Sequence, residues 1–322
     1  MCVCFAGIIK GASAGAGLGN KFLQNIKDVD VLLHVIRCFD NSEIIHVSSR
    51  INPLEDMETI ETELLLADLQ SVEKRIENAE KNKNKKGADS ASGPLDRPAF
   101  YAKCREALNA GVALVDVVFE SQAERDELQS MQLITSKPMA YVCNVDESAT
   151  SKHNAYTKLV FDAVEAANKK PLWTLPSGLK VSRVPRFCLR VCSQLESEVQ
   201  TFETAEARAE FLAMNDLSST SLLPIIQTSN KLLRNICYYT VGEQEARAWS
   251  IEEGTLAPAA AGKIHSDLQK GFVCAEVVKP ADYLKHGDAG VREQGLMKVH
   301  GRDYVVQDQD ILVFRVQGQK GR

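Results

Sequence analysis

The sequence predicts an α/β protein: a doubly wound sheet domain of parallel strands, a helical arm inserted into it, and a small mixed sheet at the C-terminal end. Asp30 to Ile36 and Pro138 to Cys143 are short, almost continuously apolar runs, as expected of strands buried on both faces of a parallel sheet. Between them lies a long stretch with apolar residues at helical spacing. From about Ile236 the pattern changes to short alternating runs around an Ala/Pro segment, which suits strands packed on one or two helices.

Composition sets the bounds. At 322 residues and 44% hydrophobic content the chain can bury substantial cores and suits two or three domains. A formal net charge of -5 argues against broad, charge-driven nucleic-acid binding, DNA included, and leaves room only for a local basic patch. None of the nine cysteines forms a Cys-x-x-Cys pair, and Cys38, Cys143, Cys192 and Cys274 end apolar runs. They read as small buried hydrophobes in a reducing compartment, with no metal site expected. No apolar run reaches membrane-spanning length, and the short N-terminal apolar segment has no basic residues before it. The cytoplasm is therefore the default location, with no membrane partner.

The chain opens on a glycine-rich run from Phe5 to Leu23, with Gly7, Gly11, Gly15, Gly17 and Gly19. Such a run leaves backbone amides free to turn sharply and approach an anion. It fails the Walker A test, because Lys21 follows Asn20 and precedes Phe22, leaving no hydroxyl at the magnesium position. On composition alone a flexible loop is the plainer reading. The strand at 30–36 follows, and His34 inside it reads as a satisfied core residue with no chemistry of its own.

Asn52, Pro53, Glu55 and Asp56 then mark a helix start. Met57, Ile60, Leu64, Ala67, Val72 and Ile76 carry a long amphipathic helix of about seven turns. It runs into a charged, flexible tip beginning at Lys81, for which a solvated loop is the commoner explanation and a nucleic-acid contact the alternative. A second helix with Phe100, Cys104 and Leu108 follows Pro98, and a third starts at a capping box formed by Ser121 and Glu124. Together they predict an antiparallel arm.

The strand at 138–143 ends at Asn144-Val145-Asp146-Glu147. Ligands of doubly wound sheets bind beyond the carboxyl ends of strands, so these residues are candidates for contact. The alternative is that Asn144 and Glu147 merely cap the next helix. A further strand, Phe187 to Val191, ends at Cys192 and Ser193. Phe202, Phe211, Leu212, Leu217, Leu222, Leu223, Ile225, Ile226, Leu232 and Leu233 read as core positions. In the C-terminal module His265 and Asp267 lack an accompanying nucleophile or metal cluster, so with Lys270 they suit an interaction surface better than catalysis.

Several strings resemble one family closely. Ala6-Gly7, Lys10-Gly11-Ala12-Ser13, Gly17-Leu18-Gly19-Asn20, Phe22-Leu23 and Arg37-Cys38-Phe39-Asp40 are similar to the Obg-like ATPase (YchF) family of the GTPase superfamily. Glu245-Ala246-Arg247-Ala248-Trp249, Ala257-Pro258, Ile264-His265, Lys270-Gly271-Phe272 and Asp303-Tyr304 resemble that family's TGS domain, a ubiquitin-like β-grasp fold. The resemblance implies a P-loop NTPase-like domain over 1–53 and 137–235, an arm over 54–136 and a TGS domain over 236–319. It implies binding and hydrolysis of ATP in preference to GTP with Mg2+, and association with the ribosome or its RNA in translation or stress regulation. Asn144, Val145, Glu147, Cys192 and Ser193 become base-loop residues. Gly7 and Gly11 become a remnant of the phosphate side, and His265 and Lys270 possible RNA contacts.

In the family, Asn-Lys-x-Asp of guanine-specific relatives becomes Asn-x-x-Glu, and the longer Glu147 spoils bidentate guanine recognition. Cys4 stands where the family has a magnesium-holding aspartate, and no Walker A sequence occurs. The sheet domain is therefore expected to be incomplete at its N-terminus, with no catalytic residues and little or no hydrolysis. A pseudo-ATPase acting through the arm and the TGS domain is the alternative.

Overall fold

The computed structural model describes residues 26–46, 50–85, 95–242 and 245–317. The glycine-rich run with Gly7 and Gly11, and most of the arm tip, lie outside them. The chain divides into two compact units, Met1–Thr228 and Ser229–Arg322.

In the first unit β1 (Leu32–Arg37), β2 (Met139–Asn144) and, after a small hairpin of β3 (Trp173–Thr174) and β4 (Lys180–Val181), β5 (Phe187–Val191) make up the described strands. β1, β2 and β5 form a parallel sheet in that order. Register places His34 opposite Tyr141 and Tyr141 opposite Cys188, with Ile36, Cys143 and Arg190 in the next row. Side chains alternate along strands, so these six share one face. That face packs with Val160 and Val164 of α4 (Ala155–Asn168), and the cluster includes Cys38, Val145 and Cys192. Full burial of a side chain such as Ile36 contributes about 1.5–3 kcal/mol.

Two sequence expectations change here. β1 is not buried on both faces, because Val35 is 60% exposed. The apolar run recorded a strand without recording what covers it. His34 is not satisfied either: its Nδ1 is buried without a hydrogen-bond partner, beside the Tyr141 ring at 5.9 Å. Burial pushes its pKa down to about 4.

The arm comprises α1 (Pro53–Lys85), α2 (Arg97–Asn109) and α3 (Gln122–Met131). Asn52 accepts from the Glu55 N–H at 3.4 Å, and Asp96 caps α2 by accepting from Ala99 N–H at 3.2 Å. Ser121 and Glu124 form the expected reciprocal capping box. α1 extends to 33 residues, longer than its apolar pattern announced, and reaches about 50 Å at 1.5 Å per residue. It therefore serves separate clusters in turn: Met57 joins the sheet core, Leu64 packs with Ile26 and Ile134, and Val72 joins Phe100, Cys104 and Leu108 in the arm core. Midway, the fully buried Asp68 accepts from Ile134 N–H at 3.0 Å, Thr135 N–H at 2.6 Å and Thr135 Oγ1 at 2.7 Å.

After β5 come α5 (Ser193–Val199), α6 (Ala205–Met214) and α7 (Leu222–Leu232). Phe202 and Phe211 pack with ring centroids 5.0 Å apart. Leu222, Leu223 and Ile226, expected in a core, are instead 48%, 49% and 50% exposed. Helical periodicity identifies an apolar face but not its cover.

The second unit holds β6 (Asn235–Val241), β7 (Ala246–Glu252), α8 (Ala257–Ile264), α9 (Ser266–Lys270), β8 (Phe272–Val278), α10 (Pro280–Glu293), β9 (Lys298–His300) and β10 (Ile311–Val316). The sheet order is β7-β6-β10-β8-β9, with β10 parallel to β6 and the other pairs antiparallel. A central parallel pair flanked by antiparallel neighbours is the β-grasp arrangement. Tyr238 is fully buried among Phe272, Leu312 and Phe314, and its hydroxyl donates to Ala260 O at 2.8 Å. Asp310, also fully buried, accepts from Lys279 Nζ at 2.7 Å, Tyr304 OH at 2.6 Å and Gln307 N–H at 2.9 Å. β9 and α10 went unanticipated, the first because three residues make too short a run for a periodicity signal.

Candidate functional site

The carboxyl ends of the parallel strands are laced together. Cys38 N–H donates to Asn144 O at 2.8 Å, and Val145 N–H donates to Val191 O at 2.8 Å. Asn144 Oδ1 accepts from both Ser193 N–H at 3.1 Å and Ser193 Oγ at 2.9 Å. The loops after β2 and β5 thus meet at one point. This joins three of the residues singled out from the sequence: Asn144, Val145 and Ser193.

Neither helix-capping alternative describes Asn144 or Glu147. Asp146 caps the short turn Glu147–Ala149, accepting from Ala149 N–H at 3.1 Å and Ser148 Oγ at 2.7 Å. Asn154 caps α4, accepting from Thr157 N–H at 2.8 Å. The Glu147 carboxylate is exposed and has no hydrogen bond or ion pair among the described residues. Asn144, with its oxygen committed to Ser193, keeps its amide N–H2 free of any described acceptor. One donor and one acceptor therefore remain at the strand ends.

Val145 and Cys192 sit differently. Each is 3% exposed and packs in the sheet core, so their side chains shape the floor while only their main chains border the loop. Burial pushes the Cys192 thiol pKa up, which keeps it protonated and inert. Asn154 escaped the sequence reading although it has a second part, donating from Nδ2 to Cys38 O at 2.7 Å. Its capping-box partner Thr157, three residues on, was the available signal.

His265 and Lys270 lie in the other compact unit, both exposed. His265 Nδ1 accepts from Asp267 N–H at 3.2 Å and so starts α9. Its first demonstrable part is as a helix cap.

Ribosome-binding ATPase YchF of Pasteurella multocida is 37% identical over 317 residues, covering 97% of this chain and 80% of that protein. The chain belongs to the YchF/Obg-like ATPase family. Ribosome-binding ATPase YchF of Bacillus subtilis is 37% identical over 313 residues, covering 96% of this chain and 79% of that protein. Obg-like ATPase 1 of Saccharomyces cerevisiae is 34% identical over 314 residues, covering 96% of this chain and 75% of that protein. Residues 235–317 match YchF-GTPase_C, described as a protein of unknown function (DUF933). The structure of the Schizosaccharomyces pombe YchF GTPase superposes with a TM-score of 0.76 at 29% identity, covering 96% of this chain and 78% of that one. The YchF fold therefore extends through both units. No described helix is long and apolar enough to cross a membrane.

Proposed function

We propose that the chain is an adenine-nucleotide-binding protein of the cytoplasm that works on the ribosome, with the base held at the carboxyl ends of β2 and β5. The observation that carries this is the Asn144–Ser193 pair, which commits the Asn144 oxygen and leaves its amide without a described acceptor, three residues before a Glu147 carboxylate that also has no described partner. An amide donor suits a purine ring nitrogen, and a carboxylate acceptor suits the adenine amino group. Guanine presents its ring N–H and amino donors to a shorter acid, so ATP is preferred and GTP binds more weakly.

Ribosome association rests on the relatives named as ribosome-binding ATPases. In this reading residues 236–319 act as a TGS domain, with His265 and Lys270 on its RNA-facing surface. Residues 1–53 and 137–235 hold the nucleotide, and 54–136 form the arm. Gly7 and Gly11 belong to the phosphate side. Mg2+ would accompany the nucleotide; no group of three His, Cys, Asp or Glu side chains among the described residues would hold it alone. The 322 residues contain no Gly-x-x-x-x-Gly-Lys-Ser/Thr run. Phosphoryl transfer depends on positioning and charge stabilisation of the phosphates, so hydrolysis by this polypeptide is low.

Calorimetric titration of the purified 322-residue chain with ATP and GTP tests the proposal. Saturable ATP binding, tighter than GTP and accompanied by little phosphate release, is the expected result. Absence of binding to either nucleotide would leave the binding-module reading, in which the arm and the second unit engage ribosome, RNA or protein without nucleotide.

A further inference from the structure

A second polar site lies at the other end of the sheet, where β2 and β5 begin and the arm joins. A cavity of about 70 Å3 opens there, bordered by Glu61 of α1, Asp116, Lys137, Arg183 and Arg186. Three of these side chains are cationic and two anionic, and the anions are already committed. Asp116, 2% exposed, accepts from Val184 N–H at 2.9 Å and from Arg186 Nη2 at 3.3 Å. Glu61 accepts from the Tyr141 hydroxyl, which in turn accepts from Arg186 Nη1 at 3.1 Å. Lys137 is engaged by the carbonyls of Ile26 and Lys27.

Arg183 is left over. Its side chain is 17% exposed, forms only a long ion pair with Asp116, Nη1 to Oδ2 at 3.7 Å, and donates no hydrogen bond to a described residue. Its Nε is buried without an acceptor. A largely buried guanidinium with no hydrogen-bond acceptor is costly, and its planar fork suits an oxyanion best. Leu32, Leu64 and Met139 contribute apolar walls. The net charge of the lining is positive, and the volume admits only a few heavy atoms.

We propose that this cavity is a binding site for a small oxyanion, a phosphate or a carboxylate, with Arg183 as its principal ligand and Arg186 held in place by Asp116. β2 separates it from the base loop by a strand of six residues, about 20 Å at the rise of a strand. The site is thus independent of the nucleotide reading. Because Glu61 belongs to α1, an anion here bears on the junction between arm and sheet.

The test is thermal melting of the full chain in chloride buffer at fixed ionic strength, titrated with inorganic phosphate or with acetate. A ligand that binds only the folded state raises the midpoint saturably. The expected result is such a rise with one or both anions, unchanged in Asn144→Ala, lost in Arg183→Gln and partly restored in Arg183→Lys. The relative response to phosphate and acetate identifies the source of the oxyanion. Crystals of the unaltered chain soaked in selenate give a second measurement free of any folding defect in the variants, with an anomalous peak expected beside Arg183. No saturable rise and no peak, or a rise that Arg183→Gln leaves intact, would overturn the proposal and assign the cavity to water.

Discussion

Asn144 Oδ1 accepts two hydrogen bonds from a single residue, Ser193, one from its backbone N–H and one from its hydroxyl. This pair ties the end of β2 to the start of α5 and commits the Asn144 oxygen, leaving its amide without a described acceptor. A net hydrogen bond of this kind contributes about 0.5–1.5 kcal/mol. Asn144→Ala removes both, and is expected to lower stability by about 1–2 kcal/mol and to weaken ATP binding about tenfold or more. Urea denaturation and titration with a fluorescent ATP analogue check the two parts separately.

Glu147 supplies the discriminating acceptor in the proposed site. Glu147→Asp shortens it by one methylene and restores the reach that guanine-specific relatives use. The ratio of ATP to GTP affinity is expected to fall several-fold, mostly through tighter GTP binding. Competition between the two nucleotides measures that ratio directly, and an unchanged ratio would remove Glu147 from base recognition.

Asp310 holds the second unit at one buried point, with Lys279, Tyr304 and the Gln307 N–H converging on its carboxylate. Its loss strands those donors. Asp310→Ala should cost about 3 kcal/mol, within the range for stripping one partner from a buried charged group. Because Trp249 packs against the core of this unit, tryptophan fluorescence during denaturation reports the change.

His34 predicts an acid sensitivity. Burial holds its folded pKa at about 4, below its ordinary value of 6.5. The unfolded chain therefore binds the proton first as pH falls. The contribution of neutral His34 is fully present above pH 6.5 and is lost progressively towards pH 4, at a slope of up to about 1.4 kcal/mol per pH unit. The difference in stability between the unaltered chain and His34→Gln, followed across that window, isolates the effect; parallel curves would refute it.

Much of the fold was legible because its signals are local. The apolar runs marked β1, β2 and β5, the Ser121–Glu124 capping box marked the start of α3, and Phe100, Cys104 and Leu108 marked the buried side of α2. Each signal is complete within a few residues. The candidate site was legible for a related reason: strand ends in such sheets are where polar residues meet ligands, so Asn144 and Glu147 could be named as candidates from position. Exposure was not legible. Val35, Leu222 and Ile226 have the residue types of a core and stand open, because periodicity records a face and not its partner.

By itself, then, the sequence determined the family, the main strands and helices, and which polar residues stand at the strand ends. Those properties depend on residue type and short-range spacing. Only the tertiary structure decided how the polar groups are spent. Asn144 meets Ser193 across 49 positions, Asp68 meets Thr135 across 67, and Asp116 meets Arg186 across 70. A hydrogen bond has a reach of about 3 Å, so which donors are satisfied, and which, like Arg183, are left without an acceptor, is settled when the strands and the arm come together.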